Sequence, residues 1–123
     1  MPKQAQLESF IANSFRSVWA LDLLKYLAAN PRKFFAPDEL VAALRASDAV
    51  VSQSVANLTI AGLAIVDDDG CVGYHQASGE QGALVTAAID YYARSPDKAR
   101  RLIVAQSAPG VTAFADAFKL RKD

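Results

Sequence analysis

Side chains that could do chemistry are few in this chain, and most lie near its middle. Three consecutive acids, Asp67-Asp68-Asp69, precede Gly70, and the one Cys and the one His follow as Cys71 and His75. Carboxylates suit calcium or magnesium, but three consecutive residues rarely converge on one ion. A histidine base would need a partner and a pocket, and the sequence indicates neither. We therefore predict a solvated turn, no metal or cofactor, and no enzymatic activity.

A second polar set follows a helical pattern just before these acids. Ser47 and Asp48 are typical of a helix start, and Gly62 is typical of a helix end. One predicted face is apolar and carries Val51, Val55, Leu58 and Leu63. The opposite face carries Ser52, Gln53, Ala56, Asn57 and Ile60. This helix therefore offers hydrogen-bonding groups on its predicted exposed side.

The segments around this helix predict how it is held. An Asp-Gly turn separates two short apolar runs, Leu63–Val66 and Cys71–Tyr74, which predicts a β-hairpin. Before the helix, Pro37 and the acids that follow it predict another helix start, and only a very short link joins the two helices. Residues 32–35 predict an extended piece that pairs with the hairpin. The whole is a predicted helix-turn-helix with a small sheet.

These residues resemble the recognition helix and wing of MarR-like winged helix-turn-helix regulators. The resemblance covers roughly residues 17–74 and rests on Ser47, Val51, Ser52, Val55, Leu58, Ala61, Gly62 and Leu63, followed by the hairpin. The segments SVWALDLLKYL and FADAFKLRKD are also similar to small uncharacterised bacterial winged-helix proteins. The resemblance implies a transcription-associated, DNA-binding regulator. This sequence departs from the DNA-binding pattern at positions 53, 56 and 57, where DNA-binding relatives usually carry Arg or Lys.

Further helices are predicted on both sides of this core. Apolar spacing predicts helices over Gln4–Ser14 and Val18–Ala29, and then over Glu80–Arg94, Asp97–Gln106 and Thr112–Leu120. We thus expect one mainly α-helical domain over residues 1–123, with a winged-helix core of about 17–77 and a helical extension of about 79–123. The resemblance implies dimerisation through terminal helices. The candidate interface residues, for which a place in the intrachain core is the alternative, are Tyr91, Tyr92, Leu102, Phe114 and Phe118.

Charge is distributed unevenly although its total is zero. Residues 1–45 hold six bases and four acids, residues 46–93 hold six acids and no Lys or Arg, and residues 94–123 hold seven bases and three acids. Phosphate neutralisation normally dominates affinity for DNA, so an acidic recognition helix and wing are atypical. The basic side chains that could still contact DNA phosphates are Arg32, Lys33 and Arg45.

Two partners are therefore open for the exposed side of the predicted recognition helix. The contact residues would be Ser47, Ala49, Val50, Ser52, Gln53, Ala56, Asn57 and Ile60. Gln and Asn can read adenine, which favours DNA. The small apolar side chains among them favour a protein partner instead, unless Val50 and Ile60 pack under the terminal helices.

The remaining features concern location. No apolar run approaches the ~18 residues of a membrane span, and the first ten residues lack a secretory apolar core. A single Cys cannot form an internal disulfide. We expect a cytoplasmic protein.

Overall fold

A computed structural model of the chain describes residues 3–75 and 79–107. The described helices are α1 (Gln4–Ser14), α2 (Val18–Ala29), α3 (Pro37–Leu44), α4 (Asp48–Ile60), α5 (Gly79–Arg94) and α6 (Pro96–Ser107). The described strands are β1 (Phe34–Phe35), β2 (Ala64–Val66) and β3 (Val72–Tyr74). The prediction of a mainly helical chain with a small antiparallel sheet is confirmed. The helix predicted over Thr112–Leu120 lies outside the described residues.

Polar side chains fix where three of these helices begin. The Ser17 hydroxyl accepts a hydrogen bond from the Ala20 N–H at 3.3 Å, and the Ser47 hydroxyl accepts one from the Val50 N–H at 3.1 Å. At the start of α3, Glu39 Oε1 accepts from the Ala36 N–H at 2.9 Å. Each bond satisfies an N–H that has no partner within the helix.

Gly62 ends α4 and leads directly into the hairpin. Its φ of 78° is left-handed, a conformation that glycine adopts without the strain imposed by a Cβ. The Leu63 N–H then donates to the Leu58 carbonyl at 2.8 Å, and the Gly62 N–H donates to the Thr59 carbonyl at 3.1 Å. This pair of bonds is a Schellman motif, and it places β2 immediately after α4.

The sheet has the order β1-β3-β2, with both pairings antiparallel. Phe35, Val72 and Val66 lie in register on one face, and Phe34, Gly73 and Ile65 lie in register on the other. A Cβ at position 73 would lie 2.8 Å from the Phe34 ring, so glycine allows that ring to lie across β3. Phe34 and Ile65 remain about two-fifths exposed on the outer face.

The core is built around α2, whose Ala20, Leu21, Leu23, Leu24 and Leu27 are fully buried. α2 packs against α3, α4 and β3, while α1, α5 and α6 pack against one another. α1 contributes Leu7 and Ile11, and α6 contributes Ala99 and Ile103. The largest fully buried side chains are Phe15, Ile11, Leu21, Leu23, Leu24, Leu27, Leu40, Leu58, Leu63, Ile103, Val51 and Val72. Within the described ranges, no helix has both the length and the apolar content to cross a bilayer.

Candidate interaction surface

A tight turn orients α3 and α4 relative to each other. α3 ends at Arg45, which is left-handed with φ 54° and ψ 43°, and the Ala46 N–H donates to the Val41 carbonyl at 3.2 Å. Ser47 then caps α4. A left-handed conformation is uncommon for residues other than glycine, so the backbone at Arg45 is shaped by the turn. Its side chain is exposed, as are those of Arg32 and Lys33.

Most of the predicted contact residues lie on the exposed side of α4. The exposed ones are Ser47, Ala49, Ser52, Gln53, Ala56 and Ile60. Ile60 is 81% exposed, so the alternative that it packs under the terminal helices is wrong for the part of the chain that the structure describes. Val50 is half-buried. The exposed side of α4 therefore combines a large aliphatic side chain with small and neutral ones.

Asn57 does not belong to this exposed side, and its predicted role as a contact residue is wrong. The side chain is 8% exposed. Its Oδ1 accepts from the Arg16 N–H at 2.7 Å, and its Nδ2 donates to the Ser14 carbonyl at 2.8 Å. Position 57 lies beside buried Ser54 and Leu58 on the helix, so sorting residues by polarity alone assigned it to the wrong face. Its amide joins α4 to the link between α1 and α2.

The acidic turn of the hairpin is held by one of its three carboxylates. Asp67 Oδ1 accepts from the N–H groups of Asp69 and Cys71 at 3.0 and 2.8 Å, and Gly70 has a φ of 84°. Asp68 and Asp69 are exposed. The predicted solvated turn is confirmed. Among the described residues, no three His, Cys, Asp or Glu side chains are grouped so that they could hold a metal ion.

A groove that the sequence did not predict separates α3 and α4 from the hairpin. It has a volume of about 320 Å³. Its apolar lining consists of Pro37, Val41, Val51, Val55, Val66 and Val72, and Asp48, Ser52 and Gly70 complete it. The groove forms only where α3, α4 and the hairpin meet, and so no local sequence pattern predicts it. We call it the α3–α4–hairpin groove.

One carboxylate lines this groove, and five more belong to residues close in sequence to its lining. Asp48 lines it, Asp38 and Glu39 follow the lining residue Pro37, and Asp67–Asp69 precede the lining residue Gly70. All six acids are exposed. Partial burial and the negative charges of Asp67, Asp69 and Glu39 raise the pKa of the Cys71 thiol. The negative charges of α3 and of the hairpin turn are therefore both close enough to Cys71 to affect its thiol.

Basic residues on α5 and α6 are partly paired with acids of the same helix. Arg94 forms an ion pair with Asp90, and Arg100 forms one with Asp97 at 3.2 Å. Both pairs are exposed and stabilise the fold only weakly. Their positive charge is therefore locally offset.

Tyr91 and Tyr92, which were predicted as possible dimer contacts, take part in intrachain packing. The Tyr91 hydroxyl donates to Glu8 Oε2 on α1 at 3.3 Å. The Tyr92 hydroxyl lies near the carboxylate of Asp22 on α2, whose negative charge contributes to the raised pKa of Tyr92. Leu102 is half-buried against the core. Two neighbouring residues of α5 thus contact two different helices, while Phe114 and Phe118 lie outside the described residues.

The surroundings of Tyr92 predict a stability that falls in alkali. Burial, followed by the nearby Asp22 carboxylate, raises the pKa of Tyr92 to about 12 from its ordinary value of 10.0. The folded chain thus holds this proton more tightly than the unfolded chain. The contribution of protonated Tyr92 to the free energy of unfolding is fully present below about pH 10 and is lost as the pH rises towards about 12.

We expect Tyr92→Phe to lower the free energy of unfolding by about 1 kcal/mol at neutral pH. The difference from the unmodified chain should shrink as the pH rises above about 10. Urea unfolding across a pH series measures this. Tyr26→Phe is the control, and an equal alkaline response in both variants would contradict the assignment to Tyr92.

No protein-family model, curated protein or solved structure matches this chain.

Proposed function

We propose that the chain is a non-enzymatic, transcription-associated regulatory protein of the winged-helix type that binds a partner protein through the exposed side of α4. The observation that carries the proposal is the composition of that surface. Ile60 is 81% exposed, and exposed Ala49 and Ala56 lie on the same helix. A neutral surface with a large aliphatic side chain suits a protein partner.

The arrangement of elements supports the winged-helix interpretation. A short turn joins α3 to α4, and the β2–β3 hairpin follows α4 directly. β1 completes the sheet from before the helix pair. In this interpretation α4 is the recognition helix and the hairpin is the wing.

The electrostatics disfavour the usual mode of DNA binding. A wing tip with Asp68 and Asp69 exposed would approach phosphates with like charge. Asn57, one of the two amides suited to reading adenine, is engaged with the link between α1 and α2. Few side chains of α4 are left to form hydrogen bonds with base edges. The helix also carries no Lys or Arg that could contact phosphates.

DNA binding is the second candidate, and two observations favour it. Ser52 and Gln53 are exposed on the N-terminal half of α4, which is the part that a recognition helix presents to base edges. Arg32, Lys33 and Arg45 are exposed and could contact phosphates. In this candidate a homodimer would bind two half-sites.

The two candidates predict opposite results with a labelled mixed-sequence duplex titrated at low and at moderate salt. We expect no salt-dependent change in fluorescence anisotropy. Binding that weakens steeply with salt, and that disappears when Arg32→Gln, Lys33→Gln and Arg45→Asn are combined, would overturn the proposal in favour of DNA. Asn is chosen at position 45 because it tolerates the left-handed conformation.

A second experiment tests the protein-binding surface directly. Proteins retained by the immobilised chain are compared with those retained by Ile60→Gln and by Gln53→Ala. We expect Ile60→Gln to lose at least about tenfold in affinity for a specific partner. Gln53→Ala should matter much less, and the opposite order of the two effects would count against an apolar contact at Ile60.

A further inference from the structure

The α3–α4–hairpin groove has the shape and chemistry of a place where side chains dock. Val41, Val55 and Val66 come from three different elements and face one space of about 320 Å³. That volume is at the lower end of the ~300–1,000 Å³ range of ligand pockets. The groove is thus large enough for a few anchoring side chains of a segment.

Val66 shows that this apolar surface is open to a partner. It is 46% exposed although it lies on the same face of the sheet as buried Phe35 and Val72. Val55 and Val41 are half-buried. Each of these side chains is thus only partly covered within the described ranges, so an apolar partner would gain by removing the rest of their surface from water.

The charges around the groove decide which partner fits. Six exposed acids from α3, the start of α4 and the hairpin turn border or adjoin it. From residue 34 to residue 93, Arg45 is the one Lys or Arg in the sequence. An acidic partner would be repelled, whereas Lys or Arg next to apolar anchors would meet opposite charge.

Resting on the protein-binding function proposed above, we infer that the α3–α4–hairpin groove receives a basic amphipathic segment of a partner protein. Two or more apolar side chains of that segment occupy the valine-lined groove, and flanking Lys or Arg side chains face Asp48, Asp68 and Asp69. This is a docking mode that combines an apolar groove with charge complementarity. It places the partner on the hairpin side of α4 in addition to the side that carries Ile60.

The test uses two labelled peptides and the full chain. The first peptide has Leu and Phe at i, i+3, i+4 and i+7 with Lys at the other positions, and the second has Glu in place of every Lys. We expect the Lys peptide to bind about tenfold or more tightly than the Glu peptide, with an affinity that weakens as salt is added. Equal affinities, or no binding of the Lys peptide, would overturn the inference.

Variants locate the binding on the chain. Asp68→Lys with Asp69→Lys should weaken binding of the Lys peptide about fivefold, and Val66→Lys should weaken it at least as much. The carboxylates of Asp68 and Asp69 make no hydrogen bond within the described turn, which Asp67 holds, so the hairpin should fold in these variants. Circular dichroism checks this.

Glu80→Lys is the control for added positive charge outside the groove lining, because Glu80 is exposed at the start of α5. It should change the affinity by less than about twofold. Loss of binding in Ile60→Gln without any effect of the groove variants would overturn the groove inference and leave the protein-binding proposal standing. If neither Ile60→Gln nor any groove variant alters binding, both proposals fail.

Discussion

Asn57→Ala is expected to lower the free energy of unfolding by about 3 kcal/mol. The side chain is buried, and its amide satisfies two backbone groups, the Arg16 N–H at 2.7 Å and the Ser14 carbonyl at 2.8 Å. Alanine would leave both groups without their partner in a partly buried site. Each unsatisfied buried group costs about 1–3 kcal/mol. Urea unfolding monitored by circular dichroism measures the loss.

Two further variants separate this explanation from a general effect on α4. Gln53→Ala alters an exposed residue of the same helix, and we expect it to change stability by less than about 0.5 kcal/mol. Asn57→Asp keeps an acceptor for the Arg16 N–H but, when ionised, places a carboxylate against the Ser14 carbonyl. That carboxyl should have a raised pKa in the folded chain, so the variant should lose stability as pH rises towards neutral. A loss below about 1 kcal/mol in Asn57→Ala would contradict the role described here.

Leu40→Ala is expected to cost a similar amount, about 3 kcal/mol. Leu40 is fully buried and is the one residue of α3 in that class. Removing its branched end leaves a cavity and deprives an eight-residue helix of its main anchor. A helix this short has little stability of its own. We therefore also expect the amides of α3 to exchange with solvent faster than those of α2.

Leu44→Ala is the matched control because Leu44 lies on the same helix and is only half-buried. Its truncation should cost roughly half as much. Hydrogen exchange read by mass spectrometry follows α3 directly, and denaturant unfolding gives the global value. Equal losses in Leu40→Ala and Leu44→Ala would contradict the view that Leu40 anchors the helix. Unfolding of α3 in Leu40→Ala would also remove one wall of the α3–α4–hairpin groove.

Local patterns in the sequence predicted the elements well because the responsible interactions are local. Ser17 and Ser47 cap helices through bonds that span three residues. Gly62 ends α4 with a left-handed φ, and the Asp-Gly turn closes the hairpin. Even the two-residue strand β1 lies within the extended piece predicted from residues 32–35.

Contacts between distant residues account for what was missed. Asn57 bonds to groups 41 and 43 residues away, and no helical periodicity encodes such partners. Tyr91 and Tyr92 are of a residue type common at interfaces, yet the Tyr91 hydroxyl bonds to Glu8 and the Tyr92 hydroxyl lies near Asp22 in the same chain. The groove likewise depends on how α3, α4 and the hairpin meet. Which of these surfaces a partner uses stays a prediction.

The packing of α1 against α5 and α6 has a consequence during synthesis. Leu7 and Ile11 belong to the same core as Ala99 and Ile103, and the bond between Glu8 and Tyr91 spans 83 residues. Closing so long a loop is slow relative to forming local helices. A growing chain therefore displays the apolar stripe of α1 until most of α6 has left the ribosome. In that interval the stripe is a surface on which a chaperone, or another nascent copy, can act.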